Sequence, residues 1–291
     1  MTVPADDGLE GIRVGPSASE HEQLAPYRRR RIGGLSMRAV IPNAITAAAL
    51  CSGLTGIRFA IDGNWRMALL AIVFAGVLDG IDGRIARLLK AQSRFGAELD
   101  SLADSLSFGM APALIMFLWS LNDLPRLGWF AALGYAICCA LRLARFNAQI
   151  DADEQPHKSA GFLTGVPAPV GAGLAFLPVY LWLETMEPLF RNPWVVAGWL
   201  VLIAFLMISS IATLSWKSLR PGKDLRLLMI ALVGVMFAGL LLETMWTLTL
   251  ICVIYLALIP LGVVRYARIK RQRRRGATDA GEPAGGNNPA G

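Results

Sequence analysis

The chain has 291 residues, of which 55% are apolar and 17% charged, with a formal net charge of +7. Soluble domains carry roughly a quarter charged residues, so a water-soluble globule is excluded. The apolar residues come in runs of the length a bilayer-crossing helix needs, about 20 residues, and the basic residues cluster beside those runs rather than forming a nucleic-acid-binding stripe.

In chain order, residues 1–38 read as an arm outside the bundle. Residues 1–26, rich in Gly, Pro, Ser and acids, have little to bury, and Tyr27–Arg38 is a basic interfacial segment. No apolar core near Met1 marks a signal peptide. Residues 39–266 are expected to form an all-α membrane helix bundle of about eight transmembrane spans, at roughly 39–61, 66–89, 97–120, 127–148, 164–183, 194–215, 225–242 and 246–266. Residues 267–291 are a basic, then Gly/Ala/Pro/Asn-rich tail. Cys51, Cys138, Cys139 and Cys252 fall within the apolar runs without metal-site or disulfide spacing, as packing residues do.

Loop charge gives an orientation. With an even number of spans both termini share one side, and that side carries Arg28–Arg31, Lys90–Arg94, Lys158, Lys217–Arg226 and Arg265–Arg275. The opposite loops offer mainly Arg66, Arg126 and Arg191, set among Asp123, Glu184, Glu187 and Glu243. The positive-inside rule then puts both termini, and the junction of spans 2 and 3, at the cytoplasmic face of the cell membrane.

That junction carries the chemistry. Asp79, Asp82, Gly83 and Ala86 share one face of span 2, with Arg87 at its edge, and Gly96, Asp100 and Asp104 form a stripe on span 3. Four carboxylates are thus expected to face one another within the membrane. As plain helix-end acids they would be expensive, since an ionised Asp in a spanning helix costs about 2.5–3.5 kcal/mol on insertion scales. Arg84, Arg87 and Arg94 are the cations near in sequence. Divalent cations resolve the repulsion, and an oxygen-only donor set without His or Cys favours hard ions such as Mg²⁺, Mn²⁺ or Ca²⁺. Gly83, Ala86 and Gly96 leave the same faces without bulk, either for a phosphate-bearing ligand or for close helix packing. His21 and His157 are the two imidazoles, and both lie in polar segments away from this junction. A carboxylate is therefore the better general base.

The pattern D-x-x-D-G-x-x-A-R-(x)8-G-x-x-x-D-x-x-x-D, present in full from Asp79 to Asp104, resembles the signature of the CDP-alcohol phosphatidyltransferase family. The resemblance implies a site for two divalent ions, Mg²⁺ or Mn²⁺, in which Asp79 and Asp100 serve both. Asp82 completes one coordination shell, and Asp104 completes the other while acting as general base. It implies that Gly83, Ala86 and Arg87 receive the cytidine nucleotide, that Ser93 and Gly96 border it, and that Asn43 and Thr46 contact it from the first helix. It further implies a six-helix core and a homodimer, which leaves the role of spans 7 and 8 open.

The acceptor is less directly written. The stretches Asp104–Pro112, Ala140–Asn147 and Gly161–Pro169 resemble the bacterial branch of the family in which L-serine attacks CDP-diacylglycerol. Arg142 and Arg145 at the end of span 4 suit a carboxylate clamp, with Asn147 and Lys158 as weaker candidates. The same two arginines fit membrane-edge anchoring equally well, or a phosphorylated acceptor such as glycerol 3-phosphate or inositol phosphate. A divalent-cation transporter is the alternative from another class, because intramembrane acids also mark ion paths.

Overall fold

A computed structural model describes residues 37–150, 162–209, 212–214 and 223–260. The arm before residue 37, Lys158 and both histidines, and everything from residue 261 lie outside the described residues. The chain runs through α1 (Met37–Ile61), α2 (Trp65–Leu88) and α3 (Arg94–Asp104), then a π-helical turn (Ser105–Met110) that passes into α4 (Ala111–Trp119). A 3-10 turn at Leu121–Asp123 leads to α5 (Pro125–Ile150). There follow β1 (Phe162–Thr164), α6 (Ala168–Ala175), α7 (Leu177–Thr185), α8 (Pro188–Arg191), α9 (Pro193–Ile208), β2 (Ala212–Leu214), α10 (Lys223–Leu242) and α11 (Thr244–Pro260).

The protein is a helical membrane bundle. Among the described residues, three stretches are long and apolar enough to cross a bilayer: Arg38–Ile61, Arg94–Trp119 and Pro125–Ala148. Helices also lie at the other expected positions: α2 is equally long but carries the charges of the Asp79–Arg87 segment, α10 has 20 residues, and the rest are shorter or interrupted. Two span boundaries read from the sequence are corrected. The run expected at 194–215 stops being helical at Ile208, and the run expected from 164 starts its helix at Ala168. The residues between pair instead as an antiparallel ribbon, Phe162 with Leu214 and Thr164 with Ala212. An apolar run does not by itself distinguish strand from helix. Gly165 makes the turn possible: its φ is +75°, and a Cβ there would lie 2.8 Å from the Met207 carbonyl oxygen.

Two prolines within the apolar helices have a common effect. Pro112 has no N–H to return to the carbonyl of Phe108, and that oxygen accepts the Tyr135 hydroxyl from α5 at 3.0 Å. Pro178, at the start of α7, likewise spares the carbonyl of Leu174, which accepts the Trp199 indole N–H from α9 at 2.9 Å. In hydrocarbon a spared carbonyl must find such a partner, so each proline also becomes a tie between helices.

α1 packs along α2 and reaches α3, the π turn and α4, while α5 packs along α9. Trp119, Tyr135, Tyr180, Phe108 and Phe176 are the largest fully buried side chains. Phe74, Phe130 and Phe205 face outward, as lipid-solvated helices allow. At the end of the bundle away from the aspartates, Arg66 pairs with Glu184 at 3.2 Å. Nearby, Arg191 donates to the Trp119 carbonyl and lies 5.1 Å above the Trp182 ring. The few cations of the opposite loops are thus partly engaged within the protein.

Candidate active site

The turn between α2 and α3 sets the site. α2 ends in a Schellman arrangement: the Ala91 N–H bonds to the Ala86 carbonyl at 2.9 Å and the Lys90 N–H to the Arg87 carbonyl at 3.2 Å. Lys90 takes the left-handed position, with φ of 49°, where glycine is usual. Three residues later the Ser93 hydroxyl caps α3 by accepting the Gly96 N–H at 3.0 Å. The two helices therefore double back with their acidic faces together.

One carboxylate oxygen from each of Asp79, Asp82 and Asp100 lies within 4.8 Å of the other two. The Asp79 carboxyl also lies beside that of Asp104, which brings the fourth acid to the same cluster. Asp82 is buried at 3% exposure, while Asp79, Asp100 and Asp104 are half-buried. Among the described residues the ion pairs are Arg58 with Asp62 and Arg66 with Glu184, and neither involves these acids. Arg87 is exposed and donates its Nε–H to the Gly83 carbonyl at 3.0 Å. A hard divalent cation sits about 2.0–2.6 Å from each ligand oxygen, which a set of this spread accommodates, and the all-oxygen donors match its chemistry.

The small residues divide into two kinds. A Cβ on Gly83 would meet nothing within 4 Å, so helix packing does not account for that glycine. A Cβ on Gly96 would come within 2.9 Å of Asn43 Oδ1 and 3.1 Å of Ser93 Oγ, so close packing of α3 on α1 does account for it. Ala86 is half-buried beside them. Asn43 brings a buried Nδ2 with no hydrogen-bond partner. Thr46, one turn on, places its hydroxyl 2.6 Å from Asp82 Oδ2.

α5 supplies the opposite wall. Arg142 is half-buried, its Nε has no hydrogen-bond partner, and it lies in the electrostatic neighbourhood of Asp104 and of Tyr255 on α11. Arg145 is exposed. Asn147 donates to Ser101 Oγ at 2.8 Å, which ties α5 to α3 beside Asp100. Tyr255, and the Ser101 hydroxyl as a tie point, were not singled out in the sequence. Tyr255 sits on an apolar helix and Ser101 at a variable position of the acidic motif, so no local pattern distinguishes them.

An apolar cavity of about 470 Å³ opens next to the acids. Gly76 and Val77 line it a turn before Asp79, and Phe108 a turn after Asp104. Gly173 on α6, with Cys252 and Tyr255 on α11, closes the far side. The site thus joins a cluster of hard oxygen ligands to an apolar chamber within the bundle.

Residues 39–216 match the family model described as CDP-alcohol phosphatidyltransferase, and residues 224–260 match a second, CDP-alcohol phosphatidyltransferase 2. The chain is 35% identical to the CDP-diacylglycerol–serine O-phosphatidyltransferase of Mycobacterium tuberculosis, over 77% of this chain and 78% of that one. It is 34% identical to the enzyme of that name from Helicobacter pylori, over 68% of this chain and 81% of the other. A relative so named from Methanocaldococcus jannaschii is 36% identical over 41% of this chain and 51% of its own length. The second family match takes in most of α10 and all of α11, the helices whose role the sequence left open.

Proposed function

The chain belongs to the CDP-alcohol phosphatidyltransferase family, and on that footing we propose that it moves the phosphatidyl group of CDP-diacylglycerol onto the hydroxyl of L-serine, giving phosphatidylserine and CMP. The observation that carries this reading is the meeting of Asp79, Asp82, Asp100 and Asp104 from two helices beside an apolar chamber. The names borne by the relatives support serine as the acceptor.

Asp79, Asp82, Asp100 and Asp104 would hold two divalent cations, Mg²⁺ or Mn²⁺, with Asp79 and Asp100 shared between them. Bound there, such ions neutralise charge on the pyrophosphate and align it for in-line displacement. The open space over Gly83, beside Ala86, admits the cytidine nucleotide, which Asn43 and Gly96 border from α1 and α3. Ser93 borders the same region, although its hydroxyl is already engaged, and Thr46 is buried behind it with its hydroxyl on Asp82. Arg87 spends its Nε on the Gly83 carbonyl and keeps its terminal nitrogens for the pyrophosphate. Asp104 takes the proton of the serine hydroxyl as that oxygen attacks the lipid-bearing phosphorus. The bond from that phosphorus to the oxygen leading to CMP breaks, and CMP leaves with the electron pair. Arg142, with Arg145 behind it, takes the serine carboxylate. The apolar chamber takes an acyl chain of the donor.

We place this chemistry at the cytoplasmic face of the cell membrane, in a bundle of eight spans acting as a homodimer. Purified protein supplied with CDP-diacylglycerol and one labelled acceptor at a time tests the assignment. Label from serine should enter lipid with release of CMP, and Arg142→Ala should raise the KM for serine at least tenfold. Incorporation from glycerol 3-phosphate or inositol phosphate, with none from serine, would replace the acceptor. Divalent-cation flux into liposomes with no CMP from any alcohol would replace the reaction.

A further inference from the structure

Thr46 and Asp82 are both buried, at 5% and 3% exposure, on different helices. A threonine inside a membrane helix ordinarily settles its hydroxyl on the carbonyl four residues back, and the Pro42 carbonyl lies within reach at 3.0 Å. Asp82 Oδ2 lies closer, at 2.6 Å. A hydroxyl has one hydrogen to give, and a carboxylate at the shorter distance is the stronger acceptor. The hydrogen bond therefore crosses from α1 to α2. Threonine is β-branched and restricted in a helix to two χ1 rotamers, and the contacts with the Pro42 carbonyl and Asp82 hold this oxygen in place. One oxygen of Asp82 is pinned there, and the remaining lone pairs of the carboxylate are left for the cluster with Asp79 and Asp100.

The family resemblance puts Thr46 against the nucleotide, together with Asn43. The two residues are not equivalent in the structure. Asn43 has a buried Nδ2 without a partner, whereas the Thr46 hydroxyl is already committed. We propose that Thr46 is a positioning residue of the cation site: it orients Asp82 for metal binding and makes no contact with the nucleotide. The inference rests on Asp82 being a cation ligand.

Binding of Mn²⁺ to the full-length protein in detergent, without substrate, can be read from the electron paramagnetic resonance of the free ion. Thr46→Val, nearly the same shape without the hydroxyl, should weaken Mn²⁺ binding on the order of 10–100-fold, the usual effect of removing a group that orients a ligand. Thr46→Ser, which keeps the oxygen, should bind close to wild type. At saturating Mn²⁺ the Val variant should recover its KM for CDP-diacylglycerol. Unchanged Mn²⁺ affinity in Thr46→Val, equal loss in Thr46→Ser, or a raised lipid KM at saturating metal would each overturn the proposal. If the Val variant does not fold, Thr46→Ala removes the same hydroxyl and carries the comparison. Asp82→Asn separates the two levels. If it binds Mn²⁺ as tightly as wild type, Asp82 is no ligand, and the reading beneath the proposal falls with it.

Discussion

Asp104 ends α3 where the helix widens into the π turn, and its carboxyl meets that of Asp79 across the helix pair. Its two assigned duties, ligand and base, separate on substitution. Asp104→Asn keeps the size and one oxygen but loses the proton acceptor. We expect CMP release with serine to fall at least a thousandfold, a general base contributing about 10²–10⁴ on top of any weakened metal site. Binding of CDP-diacylglycerol should remain measurable by isothermal titration. Turnover near wild type would remove Asp104 from the base role. The motif spacing made the four acids legible, because residues three and four apart share a helix face whatever the tertiary structure. The partner of Asp82 was not legible in that sense, since Thr46 lies 36 positions away.

Between elements, the glycines sort by what a side chain would strike. Gly53 on α1 abuts the π turn, and a Cβ there would lie 2.5 Å from Ser107 Oγ and 3.0 Å from its Cα. Gly80 on α2 has nothing within 4 Å. Gly53→Val should therefore overpack the α1 contact and destabilise by about 1–3 kcal/mol. Gly80→Ala should be neutral or stabilising by about 0.5–1 kcal/mol, as alanine restricts the unfolded chain and favours the helix. Thermal midpoints in one detergent compare the two, and equal shifts would contradict the packing. Gly173 gives a different test: it lines the apolar chamber, and a Cβ there also meets nothing within 4 Å. Gly173→Leu fills the chamber without touching the backbone around it. Its kcat/KM should fall for donors with long acyl chains and hold for short ones. A uniform loss across chain lengths would mean that the chamber does not receive the chain.

At the scale of the whole molecule, loop charge is the feature on which the proposed orientation rests. The opposite face offers only a few cations, and two of them, Arg66 and Arg191, are held by Glu184 and by Trp119 and Trp182. Cysteines introduced singly at Lys90 and at Asn192, in a chain stripped of its own four, should label from opposite sides of sealed vesicles. Labelling from the same side would overturn the assigned topology. The membrane class was legible from composition, and the helices fall near the expected runs because a bilayer demands that length of apolar chain. The ribbon between Phe162–Thr164 and Ala212–Leu214 was not, since the same apolar residues suit either structure until a pairing partner is in place.

The sequence by itself determined the solvent, a bilayer, and the acidic signature from Asp79 to Asp104, because hydropathy and helical periodicity are local properties. Taken alone, Gly83 and Gly96 left ligand room and helix packing as equal readings, and only the neighbouring acids and Arg87 tipped them toward a ligand. Only the tertiary structure decided that Gly96 is packed against Asn43 while Gly83 stands open, that prolines 112 and 178 hand their carbonyl partners to Tyr135 and Trp199, and that Thr46 holds Asp82. Each of these turns on which helix lies beside which. That choice is made by the packing of the whole bundle, and no short stretch of the chain records it.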